Sequence, residues 1–225
     1  MVIQPTGAAS KRTIACVRHG ETVWKVEGRT QGCLDSPLTD VGVSQVRELG
    51  ERLESENFGT VVTSSLGRAI QTAELLSRQL DVENGLQSDN LAERGEGAFQ
   101  GLTRAQQTAR FPECFDIKTD RVIPDLIPGV ERTAEFLDRV TAGLHEIGRF
   151  VESGSVLVVT HAGVLQALTS LVFGEDYGEV CANRAFGFCD VLRFDSSQIE
   201  TLLAEPSHNA SASGARPKAA WPSTT

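Results

Sequence analysis

Apolar and polar positions alternate along this chain in two different rhythms. Residues 13–17 are an apolar run that reads as a strand. After a Gly-rich loop, Val43, Val46, Leu49 and Leu53 recur at helical spacing, with Thr39 placed to cap that helix. Residues 60–63 predict a short strand. The next helix carries Ala69, Ile70, Ala73, Leu76 and Leu80 on one face. Residues 85–101 are Gly-rich and irregular. A short helix is expected after Leu102, and residues 111–129 are a Pro-punctuated connection. Leu137, Val140, Leu144, Ile147 and Val151 step by three and four, the clearest helix of the chain. Residues 155–159 are apolar without a break beyond the first position, as in a strand buried on both faces. Val164, Leu165, Leu168 and Leu171 mark a further helix, and residues 188–194 and 199–203 predict two closing strands.

Strands alternating with helices predict an α/β fold: a three-layer sandwich with a mostly parallel central sheet and helices on both faces. The expected organisation is a loose arm at 1–12, one domain at 13–204 and a disordered tail at 205–225. No internal repeat is present.

Composition narrows the function. The chain has 225 residues and 40% hydrophobic content, enough for one sizeable core. Its net charge of −9 argues against a general nucleic-acid binder, yet allows a local cationic pocket. No run approaches a membrane span, and the first residues lack the apolar centre of a signal peptide. Cys16, Cys33, Cys114, Cys181 and Cys189 are scattered, without a CxxC pair, and read as reduced thiols of a cytoplasmic protein. On that reading the sequon at Asn209 is accidental.

The chemistry concentrates where strands stop. One strand ends in Arg18-His19-Gly20, another in Thr63-Ser64-Ser65 with Arg68 close behind, a third in Thr160-His161-Ala162-Gly163. In a parallel sheet these carboxyl ends lie together and form the crevice where ligands bind. Helix N-termini and two guanidiniums there suit a phosphoryl group. Neighbouring side chains on a strand diverge, so Arg18 and His19 converge only if the chain turns, which Gly20 permits. His145, inside the long helix, and His208, in the tail, read as solvated or capping groups.

Arg18-His19-Gly20-Glu21-Thr22-Val23-Trp24 resembles the signature of the histidine phosphatase superfamily, in its phosphoglycerate-mutase-like branch. The resemblance continues through Gly28–Gly32, Asp35–Thr39, Ser64–Ala73, Leu91–Arg94 with Gly97 and Gly101, and Thr160–Val164. It implies that His19 attacks phosphorus, that Arg18, Arg68 and His161 hold the phosphoryl oxygens, and that Glu93 protonates the leaving oxygen and later takes a proton from water. It also implies that Gln31, Gly32, Arg94, Ala162 and Gly163 line the substrate. Lys25 stands where the family commonly has Asn, and would either add a cation beside the phosphate or face solvent. Ser65 replaces a frequent proline, at a position where serine can also cap.

The expected activity is hydrolysis of a small phosphomonoester without metal or cofactor, by a protein free of nucleic-acid and membrane partners; a homodimer is allowed. The alternative is a phosphoglycerate mutase, for which 2,3-bisphosphoglycerate would be the cofactor. The interval from Arg94 to Thr160, short and with only moderate positive charge, favours the phosphatase. A catalytically inactive phosphate-binding scaffold is the alternative from another class. The sequence has no Cys-x5-Arg, Walker loop or Asp-x-Asp pair to suggest another phosphoryl chemistry.

Overall fold

In the computed structural model, the described residues are 12–199 and Leu202. The expected arm, apart from Arg12, and the expected tail, with His208 and Asn209, lie outside them. Five strands form one sheet: β1 (Thr13–Arg18), β2 (Phe58–Ser64), β3 (Asn84–Ser88), β4 (Ser155–Thr160) and β5 (Val191–Asp195). Their spatial order is β3-β2-β4-β1-β5. β3, β2, β4 and β1 pair in parallel, and β5 runs antiparallel along β1.

The period of two divides the core. Ile14 and Cys16 of β1, with Val156 and Val158 of β4, face α5 (Thr133–Val151) and α6 (Ala162–Phe173). Ala15, Val17, Leu157 and Val159 face α2 (Asp40–Leu53) and α3 (Gly67–Leu80). The apolar run in β4 is thus explained by burial on both sides. In α5 the stripe is Phe136, Val140, Leu144, Ile147 and Val151, all buried. Each such side chain contributes about 1.5–3 kcal/mol relative to exposure. Thr39 caps α2 as expected, its hydroxyl accepting from the Gly42 N–H at 2.9 Å.

Three small helices complete the fold: α1 (Val23–Val26), α4 (Arg104–Arg110) and α7 (Tyr177–Asn183). α4 is the short helix expected after Leu102, started by a capping box between Thr103 and Gln106. Two elements differ from the sequence reading. β3 lies in the stretch read as irregular; its sequence, NGLQS, has no β-branched residue and forms only the sheet edge beside β2. The second closing strand at 199–203 is not formed among the described residues. Asp195 instead caps a 3-10 turn at Ser196–Gln198, and Leu202 is helical. No helix of the described residues is long and apolar enough to cross a membrane.

Register places the strand ends. Arg18 pairs with Thr160 across β1 and β4, and Thr63 with Val159 across β2 and β4. The residues that follow all leave the sheet at one level. The loop after β1 then packs against the first turn of α2 by glycine-on-glycine contact. A Cβ on Gly20 would lie 2.7 Å from the Gly42 carbonyl oxygen, and one on Gly42 would meet the Glu21 carbonyl oxygen and lie 2.9 Å from its nitrogen. Gly20 is therefore required for close approach. Gly42→Ala should destabilise the protein by about 1–3 kcal/mol, read as a lower urea midpoint, because backbone must move to admit the methyl group.

Candidate active site

β1 delivers His19 one residue past its end, where its N–H donates to the Thr160 carbonyl at 3.0 Å. β4 delivers His161 one residue past its end, and the two rings meet edge to face with centroids 5.2 Å apart. β2 contributes Ser64, whose hydroxyl lies 2.7 Å from His161 Nε2. α3 begins beside them and points Arg68 inward. The sheet edge thus brings together both imidazoles and both guanidiniums of the sequence reading.

His19 sits between two defined partners. Its Nδ1 is 2.7 Å from the Gly20 carbonyl oxygen, and Arg68 Nε is 3.2 Å from its Nε2. A carbonyl can only accept and a guanidinium only donate. Nδ1 therefore carries the proton and Nε2 the lone pair. Burial holds the His19 pKa well below the ordinary value, and the positive charges of Arg68, Arg18 and Lys25 push the same way. The neutral imidazole, the nucleophilic form, is the stable one. His161 is neutral for the same reasons, burial first and then Arg68.

Arg68 is only 1% exposed, an uncommon burial for a charge. Its NH2 donates to the Gly32 carbonyl at 2.8 Å, and its NH1 to the Leu34 carbonyl at 2.9 Å and to Asp35 Oδ1 at 3.2 Å. Arg18 lies over the Phe188 ring, 4.3 Å from its centroid, and donates to the Phe186 carbonyl at 2.6 Å. Two buried nitrogens of the cluster, Arg18 Nε and His161 Nδ1, have no hydrogen-bond partner. Such atoms cost about 1–3 kcal/mol each unless something polar reaches them.

A cavity of about 90 Å³ opens on this cluster. It is lined by Arg18, His19, Lys25, Gln31, Gly32, Arg68, Glu93 and Ala162, all expected from the sequence, and also by Thr30 and Glu96. Gln31 is buried and donates to the Thr22 hydroxyl at 3.0 Å, which fixes the loop before Gly32. Glu93 stands at the start of α6: its Oε1 accepts from the Arg94 N–H at 2.9 Å and its Oε2 from the Gly163 N–H at 3.3 Å. Gly163 serves as that support and does not line the cavity; a Cβ there would meet Glu93 Oε1. Lys25 lines the cavity while remaining exposed, so it adds a cation to the cavity without leaving solvent.

Arg94 departs from the sequence reading. Its guanidinium donates to the Glu131 carbonyl, at 3.0 Å from Nε and 2.8 Å from NH2, and to Thr133 Oγ1 at 3.2 Å. It braces the segment before α5 and is not part of the cavity wall. That carbonyl is remote in sequence, so no local pattern could announce it. Asp35 and Ser64 stood within the matched motifs without an assigned role, and Phe188 and Glu96 had none either; tertiary placement brings all four to the site. Among the described residues no group of three or more His, Cys, Asp or Glu is arranged to hold a metal ion.

Comparison with known proteins agrees with this geometry. The model of the histidine phosphatase superfamily (branch 1) matches residues 14–197. The uncharacterized phosphatase PhoE of Bacillus subtilis is 31% identical over 163 residues, covering 72% of this chain and 78% of that protein. The probable phosphoglycerate mutase GpmB of Salmonella choleraesuis is 34% identical over 173 residues, covering 70% and 73%. The solved structure of Bacillus stearothermophilus YhfR superposes with a TM-score of 0.71 at 30% identity, covering 80% and 89% of the two chains.

Two imidazoles held neutral in the fold make stability depend on pH. Unfolded, each binds a proton below about 6.5; folded, each resists protonation to lower pH. The unfolded state therefore holds more protons between those limits, and stability falls as pH falls below about 6.5. The expected slope is about 1.4 kcal/mol per pH unit for each proton. Urea unfolding between pH 7 and 5 checks this, and His161→Gln should remove about half of the slope.

Proposed function

The chain belongs to the histidine phosphatase superfamily, and from that membership we propose that it hydrolyses small phosphomonoesters through a phosphohistidine at His19. The observation that carries this reading is the neutral His19 with its Nε2 lone pair directed at Arg68, on the wall of a cavity that also holds Arg18, Lys25 and Glu93.

The roles follow from the contacts. Arg18, Arg68 and Lys25 neutralise the phosphoryl oxygens, Arg68 exchanging its bond to His19 Nε2 for one to an oxygen. The freed lone pair attacks phosphorus. The bond from phosphorus to the alcohol oxygen breaks, and Glu93 supplies the proton that oxygen needs. In the second step Glu93, now a carboxylate, takes a proton from water, whose oxygen attacks phosphorus. The P–N bond breaks, inorganic phosphate leaves, and His19 is neutral again. The proton stays on Nδ1, donated to the Gly20 carbonyl throughout, so the ring never changes tautomer. His161, held by Ser64, adds a second ring edge beside the transferred group. No cofactor takes part in this scheme, and five free cysteines fit a cytoplasmic setting.

A mutase reading has its own support in the likeness to GpmB. Hydrolysis is favoured by the short interval between Glu93 and His161 and by Arg94, which is tied to the Glu131 carbonyl and not free to meet a phosphoglycerate carboxylate. Release of phosphate from 3-phosphoglycerate, set against its conversion to 2-phosphoglycerate, separates the two; conversion without release would establish the mutase.

The test of mechanism uses p-nitrophenyl phosphate. His19→Ala should reduce turnover to background and abolish an acid-labile phosphoenzyme. Glu93→Gln should lower kcat by about 10²–10⁴ with an alcohol of ordinary acidity as leaving group. Equal rates in wild type and His19→Ala would remove His19 from the reaction.

A further inference from the structure

The cavity lining carries charges of both signs. Arg18, Lys25 and Arg68 supply the cations, and Glu93 and Glu96 the carboxylates. Of the two carboxylates, only Glu96 has no place in the phosphoryl chemistry.

Glu96 is built into that wall. Its N–H donates to Gln100 Oε1 at 3.3 Å, and its backbone pairs with Val130. Gly97 follows at φ +50°, where a Cβ would meet the Pro128 carbonyl and lie 2.6 Å from the Val130 nitrogen. Only glycine fits there, which fixes the backbone beside Glu96. Among the described residues the Glu96 carboxylate has neither an ion pair nor a hydrogen bond. Of the cations nearby, Arg94 is held on the Glu131 carbonyl, while Lys25 lines the same cavity and feels both Glu93 and Glu96. Burial and the neighbouring Glu93 charge both push the Glu96 pKa upward. A group in that state is stabilised by an arriving cation.

We propose that Glu96 is a specificity-determining residue that accepts a positively charged amine on the leaving alcohol, so that the preferred substrates are phosphate esters of amino alcohols. The proposal rests on the phosphatase reading of the same site. The substrate's phosphate meets Arg18 and Arg68; its ammonium, a few bonds away, meets Glu96. A leaving group bearing a carboxylate in the same place faces a like charge at Glu96, which the Lys25 ammonium offsets only in part.

Three esters of similar size and different charge test this: phosphoethanolamine, glycerol 1-phosphate and phosphoglycolate. Wild type should show the order phosphoethanolamine, glycerol 1-phosphate, phosphoglycolate in kcat/KM. Glu96→Gln should reduce the ratio of the first to the last by about tenfold or more, as loss of one charge contact near a protein surface would. Binding is read separately by calorimetry in His19→Ala, with and without Glu96→Gln, so that it is independent of turnover. A ratio unchanged by Glu96→Gln in both measurements, or a wild-type preference for phosphoglycolate, overturns the proposal. Should Glu96→Gln fail to fold, competition of the three esters against p-nitrophenyl phosphate in wild type still decides the order. Failure of the phosphatase reading has a different signature: p-nitrophenyl phosphate turnover that His19→Ala does not alter, or none at all.

Discussion

Arg68 is a full positive charge buried in the interior, and much of the local architecture is what that burial demands. An isolated guanidinium would be very costly there, so it needs acceptors on several sides. The loop 32–35 bends to offer two carbonyl oxygens and the Asp35 carboxylate. A further donor, Nε, meets a ring nitrogen that can accept only while unprotonated. The same charge that steadies the loop thus keeps His19 in its reactive form. In the proposed reaction, a phosphoryl group entering the cavity offers Arg68 better acceptors than an imidazole, and the exchange frees the His19 lone pair as it is needed.

Much of this was legible in the chain. The apolar rhythms located four of the five strands and the main helices. The strand-end positions of His19 and His161 pointed to one crevice, and the parallel register Arg18–Thr160 is what makes them neighbours. Composition and spacing alone did not name the chemistry; the motif resemblance did. What escaped has a common physical cause. β3 is an edge strand stabilised by β2 and not by its own propensities. Arg94 matched its motif, yet its direction depends on a carbonyl 37 residues away. Glu96 is an ordinary glutamate in the sequence; only the fold around Gly97 gives its carboxylate a cavity to face.

Charge is partitioned within a very small volume. The net charge of −9 disfavours anions at long range, while the three cations lining the cavity attract them at short range. The acidic surface and the cationic pocket therefore act on different length scales. Binding inside the cavity is set by the near groups, and Glu93 and Glu96 give its walls opposite signs.

The strand order has a consequence for how the molecule comes into being. β4 is fourth in the chain yet lies at the centre of the sheet, between β2 and β1. On a ribosome, the first two strands emerge long before the partner that joins them, and each waits with an unpaired edge. Sheet closure must await the emergence of residue 160, and with it comes His161. Loop closure over such separations is slow, and the intermediate before it is the one most exposed to association with other nascent chains.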